Sequence, residues 1–123
     1  MPEAQVISIV DDDARVRVAI QRLVQSLGYA ALTFPSADDF FQSGQVAETA
    51  CLILDVKMPG MSGLELQERL AAAGDKTPII FITACAEEFR AHALDAGAVG
   101  FLTKPFREEE LTDCLKVALS DPK

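Results

Sequence analysis

The stretch Cys51-Leu52-Ile53-Leu54-Asp55-Val56-Lys57-Met58-Pro59-Gly60-Met61-Ser62-Gly63 decides the fold. Its first four residues are apolar without alternation, the pattern of a strand buried on both faces. An aspartate ends the run, and Pro59, Gly60 and Gly63 then mark a loop. The same unit recurs on both sides. Val6-Ile7-Ser8-Ile9-Val10 reads as a strand that stops at Asp11-Asp12-Asp13. Ala30 to Phe34 reads as another, punctuated by Pro35-Ser36. Ile79-Ile80-Phe81-Ile82 ends at Thr83, and Val99 to Thr103 ends at Lys104-Pro105. Helical spacing fills the gaps: Val16, Ile20, Leu23, Val24 and Leu27 before Gly28; Ala37, Phe40 and Phe41 behind Ser36 as a cap; Leu66 and Leu70; Phe89, Ala93 and Ala96 before Gly97; then Leu111, Cys114, Leu115, Ala118 and Leu119. Five apolar strands alternating with five helices predict an α/β fold, a doubly wound parallel sheet with helices on both faces.

The bulk properties narrow the class. A chain of 123 residues suits one domain, and with half of them apolar it can bury a real core. A net charge of −8 and a pI of about 4.5 give a surface that repels nucleic acid and anionic lipid. No direct nucleic-acid or membrane partner is therefore expected. The start shows no basic region followed by an apolar stretch, and no apolar run is long enough for a membrane span. The cysteines Cys51, Cys85 and Cys114 are odd in number and form no C-x-x-C pair, which predicts a reducing, cytoplasmic setting. Cys51 and Cys114 read as small core residues, Cys85 as a plain thiol, and the lone His92 as a surface residue.

Chemistry is expected just beyond the carboxyl ends of the strands, where ligands bind in open α/β sheets. Those ends carry Asp11, Asp12 and Asp13, then Asp55, Thr83 and Lys104. One aspartate in the first group is enough to cap a helix; three exceed that need. Crowded carboxylates call for a hard divalent cation. A lysine and a hydroxyl across from them suit an anion, and phosphate is the natural one. No G-x-x-x-x-G-K-[ST] or G-x-G-x-x-G loop offers a nucleotide cradle. The phosphoryl group must come from elsewhere, and a carboxylate can accept it as an acyl phosphate. Asp55, alone at a strand end, is the best candidate.

The pair Asp11-Asp12, the string from Asp55 to Gly63, the pair Thr83-Ala84 and the triplet Lys104-Pro105-Phe106 together resemble the receiver domain of two-component response regulators. The resemblance runs from about Gln5 to Leu119. It implies a single receiver domain over residues 1–123, a flavodoxin-like sheet with strand order 2-1-3-4-5, and no output domain in this chain. Pro35-Ser36-Ala37 and Gly97-Ala98-Val99-Gly100-Phe101-Leu102 resemble the nitrogen-fixation regulator type, in which a LuxR-like, helix-turn-helix output domain follows the receiver.

The same resemblance assigns roles. Asp55 is the phosphoacceptor for a sensor histidine kinase. Asp12 and Asp55 bind Mg²⁺ (or Mn²⁺) directly, Asp11 holds metal-bound water, and the backbone carbonyl of Lys57 is the third protein ligand. Thr83 is the switch hydroxyl, Lys104 pairs with the phosphoryl oxygens, and the Lys104–Pro105 bond is cis. Phe101 takes the aromatic switch position and, without a hydroxyl, senses the change by burial. Lys57 and Cys85 flank the phosphoryl group and tune its lifetime. Phosphorylation is expected to change a surface made by the fourth helix, fifth strand and fifth helix (Ala86 to Gly97 and Val99 to Leu119), for a homodimer, an output domain or an effector protein. The expected role is a switch in transcription control, not a metabolic enzyme. Two rivals stand beside it: a protein-interaction module that needs no phosphorylation, and a hydrolase with an aspartyl nucleophile, whose family carries a D-x-D motif at its first strand instead.

Overall fold

A computed structural model of the chain describes residues 5–84 and 86–119. Cys85 and the tail from Ser120 to Lys123 lie outside the described residues. Five strands, β1 (Val6–Val10), β2 (Ala30–Phe34), β3 (Cys51–Leu54), β4 (Ile79–Thr83) and β5 (Gly100–Thr103), form one parallel sheet in the order β2-β1-β3-β4-β5. The helices are α1 (Ala14–Ser26), α2 (Ala37–Gln42), α3 (Gly63–Ala72), α4 (Ala86–Asp95) and α5 (Glu108–Leu119).

Each central strand feeds both faces of the sheet, which is why its run is almost wholly apolar; Ser8 in β1 is buried with its hydroxyl bonded to that of Thr49 at 2.6 Å. In β3, Leu52 and Leu54 point into a layer with Phe40, Leu66, Leu70, Phe81 and Ala93, under α2, α3 and α4. Cys51 and Ile53 point the other way, into a layer with Ile20, Val24, Leu111 and Leu115, under α1 and α5. Truncating one of the leucines or isoleucines in these layers to alanine costs about 2–5 kcal/mol, a large part of a domain's net stability.

The ends of the helices follow local chemistry. The Asp13 side chain accepts from the Arg15 N–H and caps α1, a contact worth about 1 kcal/mol. Ser36 caps α2 through the Asp39 N–H. Ser62 and Glu65 form a reciprocal capping box at α3.

Local details depart from the sequence pattern. Phe41 does not join the core with Phe40; it is exposed, because neighbours on a helix point about 100° apart and the short α2 buries one face. β5 begins at Gly100, although the Val99 N–H already bonds the Ile79 carbonyl. α4 ends at Asp95, and Ala96 lies in the turn that follows. A short 3₁₀ turn, Val46–Glu48, precedes β3.

Candidate functional site

Strand register builds the site. Val10 pairs with Leu54, so Asp11 and Asp55 leave the sheet side by side. The Asp55 N–H bonds the Val10 carbonyl at 3.1 Å. Thr83 pairs with Thr103, which delivers Lys104 to the same edge. The Lys104 Nζ then bonds Asp11 Oδ2 and Asp55 Oδ2, both at 3.0 Å. The Lys104–Pro105 peptide is cis.

Asp11 and Asp55 are buried, whereas Asp12 is exposed at the rim. Each of the three offers a carboxylate oxygen, and these oxygens lie within 4.8 Å of one another. The Asp13 N–H donates to Asp11 Oδ1 at 2.9 Å and the Lys57 N–H to Asp55 Oδ1 at 3.3 Å. Asp13 itself turns away to cap α1, so the three aspartates divide into two for the cluster and one for the helix.

The electrostatics are those of a crowded anionic site. Burial raises the Asp11 carboxyl above its ordinary value, with Asp55 adding to the rise; the Asp13 N–H and Lys104 oppose it and lose. Burial pulls the Lys104 ammonium down, but its bonds to Asp55 and Asp11 outweigh that, and it ends raised. The two directions agree: one ammonium shared between two buried carboxylates is held tightly, yet it leaves the cluster one charge in surplus before Asp12 is counted. Three hard oxygen donors with surplus negative charge fit a divalent cation of the Mg²⁺ or Mn²⁺ kind.

The other candidates among the described residues lie on β4, β5, α4 and the loop after β3. Thr83 is buried at the end of β4. Phe101 is buried, 5.9 Å from the Phe81 ring, with the Arg90 guanidinium 6.0 Å from its own ring. The Lys57 ammonium lies 5.7 Å from the Phe89 ring. Cys85 lies outside the described residues, so its place beside Asp55 remains an expectation from sequence. His92 is exposed, with Nε2 4.0 Å from Glu68.

Two residues were missed by sequence reasoning. Gly63, noted only as a loop signal, is packed against the backbone of Asp55: a Cβ there would meet the Asp55 carbonyl oxygen at 2.2 Å. Arg17 donates from Nη1 to the Asp11 carbonyl at 2.7 Å. The available signal for Arg17 was its position, the fourth residue of α1, since helical side chains lean back toward the N-terminus.

Comparison with known proteins gives this geometry its family. The response regulator receiver domain model matches residues 7–116. Response regulator protein TodT of Pseudomonas putida is 46% identical over 117 residues, which cover 94% of this chain and 52% of that protein. Transcriptional regulatory protein FixJ of Azorhizobium caulinodans is 34% identical over 120 residues, covering 97% of this chain and 57% of that protein, consistent with the regulator type that the sequence resembles. The solved structure of response regulator StyR matches with a TM-score of 0.88 at 41% identity, covering 96% of this chain and 60% of that one. The chain spans about half the length of the curated relatives it matches. Fold, strand-end cluster and relatives converge: the chain belongs to the receiver domains of two-component response regulators.

Proposed function

We propose that this receiver accepts a phosphoryl group on Asp55 from a sensor histidine kinase and so controls a transcriptional output domain or effector. One observation carries the reading. A buried carboxylate at the central strand end shares a lysine with a second buried carboxylate, inside a three-carboxylate cluster.

Asp12 and Asp55 would hold Mg²⁺ or Mn²⁺ together with the Lys57 carbonyl, and Asp11 would act through a bound water. The bound ion supplies charge neutralisation for the phosphoryl oxygens. The chain's own groups do the rest. An Asp55 carboxylate oxygen attacks phosphorus, the P–N bond to the kinase imidazole breaks, and its electron pair returns to the ring nitrogen. The Lys104 ammonium, already at Asp55, turns to the phosphoryl oxygens and fixes their orientation. The Thr83 hydroxyl, one residue beyond the level of Asp55 on β4, gains a phosphoryl oxygen as its acceptor. That bond pulls the loop before α4, repacks Phe101, and shifts a pre-existing equilibrium of the α4–β5–α5 face.

A cleft of about 640 Å³ beside Lys104, lined by Val16, Ile20, Leu23, Pro105 and Phe106, gives an apolar seat for the donor protein next to the acceptor. The acidic surface suits action in the cytoplasm without direct contact to nucleic acid or membrane. The site serves signalling, and an output domain or effector carries the response.

The test is intact mass after incubation with acetyl phosphate and Mg²⁺, beside Asp55→Asn. A gain of one phosphoryl group in the wild type alone, abolished by EDTA added first, supports the reading. A folded wild type that gains nothing refutes it.

A further inference from the structure

Asp12 differs from its two neighbours in one respect. Asp11 is held by Lys104 and the Asp13 N–H, and Asp13 by the Arg15 N–H. Among the described residues no hydrogen bond holds the exposed Asp12 carboxylate. No side-chain bond fixes its rotamer, so the placement of its Cβ, set by the backbone and by the plane of the peptide joining Asp11 to Asp12, decides which rotamers reach the cluster. The oxygen of that peptide is the acceptor that Arg17 Nη1 reaches at 2.7 Å.

We infer that Arg17 is a positioning residue for the cation: by holding the Asp11–Asp12 peptide it aims the Asp12 carboxylate at the cluster. The Asp11 N–H is bound by the Phe34 carbonyl at 3.3 Å, so the backbone is gripped on both sides of this residue, from β2 and from α1. A charge-assisted bond to a backbone carbonyl resists rotation of the peptide better than a neutral one. The half-buried guanidinium spans the distance from the first turn of α1 to the strand end, which couples the seating of the helix to the geometry of the site.

The inference rests on the proposed cation site, and its sign separates it from simple electrostatics. A positive charge near a dication repels it, so removing Arg17 on charge alone would tighten Mg²⁺ binding. Removing a positioning bond weakens it instead.

The experiment is calorimetric titration of the chain with Mg²⁺, without phosphodonor, for wild type, Arg17→Met and Arg17→Lys. The expected result is a Kd at least fivefold weaker in Arg17→Met. Arg17→Lys should fall between, because an ammonium keeps the charge without the planar fork. The denaturation midpoint without metal serves as the structural control: losing a charge-assisted bond lowers it, while both variants should stay fully folded under the titration conditions. At saturating Mg²⁺, phosphorylation of Arg17→Met by acetyl phosphate should return to within about twofold of wild type. Should Arg17→Met fail to fold, a weaker Kd in Arg17→Lys carries the same expectation. Wild type that binds Mg²⁺ while both variants bind as tightly or more tightly overturns the role of Arg17 alone. Wild type that shows no Mg²⁺ binding overturns the cation site itself, and the inference with it.

Discussion

Replacing Gly63 by alanine tests how Asp55, the proposed acceptor, is held. Gly63 opens α3, and its N–H bonds the Val56 carbonyl at 2.8 Å. An added Cβ would lie 2.2 Å from the Asp55 carbonyl oxygen, 3.0 Å from its carbonyl carbon and 3.1 Å from the Val56 Cα. All three are backbone atoms, so no side chain can rotate out of the way. Relief to an ordinary contact needs a displacement of about 1 Å, shared between the start of α3 and the loop that carries Asp55. Two effects compete. Alanine favours a helix over glycine by about 1 kcal/mol at most, while overpacking of this kind costs about 1–3 kcal/mol. The contact is far inside normal range, which puts the cost at the upper end and the net loss near 2 kcal/mol. In urea that lowers the midpoint by about 1 M, given a slope of about 1–3 kcal/mol/M. A 1 Å shift at a reacting group can also cost about 100-fold in rate. Gly74→Ala is the matched control: its φ is +79°, but a Cβ there meets nothing within 4 Å. It should lose about 1 kcal/mol through backbone strain and keep its rate of phosphorylation by acetyl phosphate. Gly63→Ala with an unchanged urea midpoint, or with wild-type phosphorylation, would show that this packing does not hold Asp55.

Asp11 should be visible in the pH dependence of stability without metal. Burial raises its carboxyl above 3.8, so the folded state holds the proton more tightly than the unfolded chain, and stability falls as pH climbs from 3.8 through the raised value. Asp13, lowered mainly by the Arg15 N–H, contributes the opposite slope, so the test is the difference between curves: from pH 3 to 7 the urea midpoint of wild type should fall relative to that of Asp11→Asn, and parallel curves would contradict it. Cys51 should resist alkylation. Its thiol is fully buried and pushed up to about 12, mainly by burial and secondly by Cys114. At pH 8 only about 1 in 10⁴ of such thiols is thiolate. Peptide mapping after iodoacetamide should find Cys51 modified in urea and untouched in the native chain; native modification would place it nearer solvent.

What the sequence revealed and what it hid have physical causes. The strands were legible because a parallel strand covered on both faces is apolar at nearly every position, as Cys51 to Leu54 are, and a polar exception such as Ser8 needs a buried partner. The site was legible because polar residues that end such strands converge on one edge, and the pairing of Val10 with Leu54 and of Thr83 with Thr103 performs that convergence. Contacts that depend on three-dimensional approach were not legible. Glutamine is usually solvated, yet Gln67 is buried, with Nε2 donating to the Ala93 carbonyl in α4 at 3.2 Å and Oε1 without a partner among the described residues. Only the fold puts α4 across from it. The 2.2 Å approach of Gly63 is hidden for the same reason, since a glycine before a helix suggests a turn long before it suggests a neighbour.

The run Asp11-Asp12-Asp13 shows how far residue type can stand from residue role. Three identical side chains follow one strand, and their backbones send them to three environments: a buried bond to Lys104, an exposed rim beside Asp55, and the first turn of α1. The charge balance then orders the proposed chemistry. Without a dication, the Lys104 ammonium is the neutralising charge for Asp11 and Asp55, and both carboxylates hold it. On the proposed reading, a dication at Asp12 and Asp55 relieves that demand and leaves the ammonium free for an arriving anion. On that reading the lysine is a stand-in cation before transfer and an anion clamp after it, and the crowding shows at Asp11, whose carboxyl is raised chiefly by burial and further by Asp55.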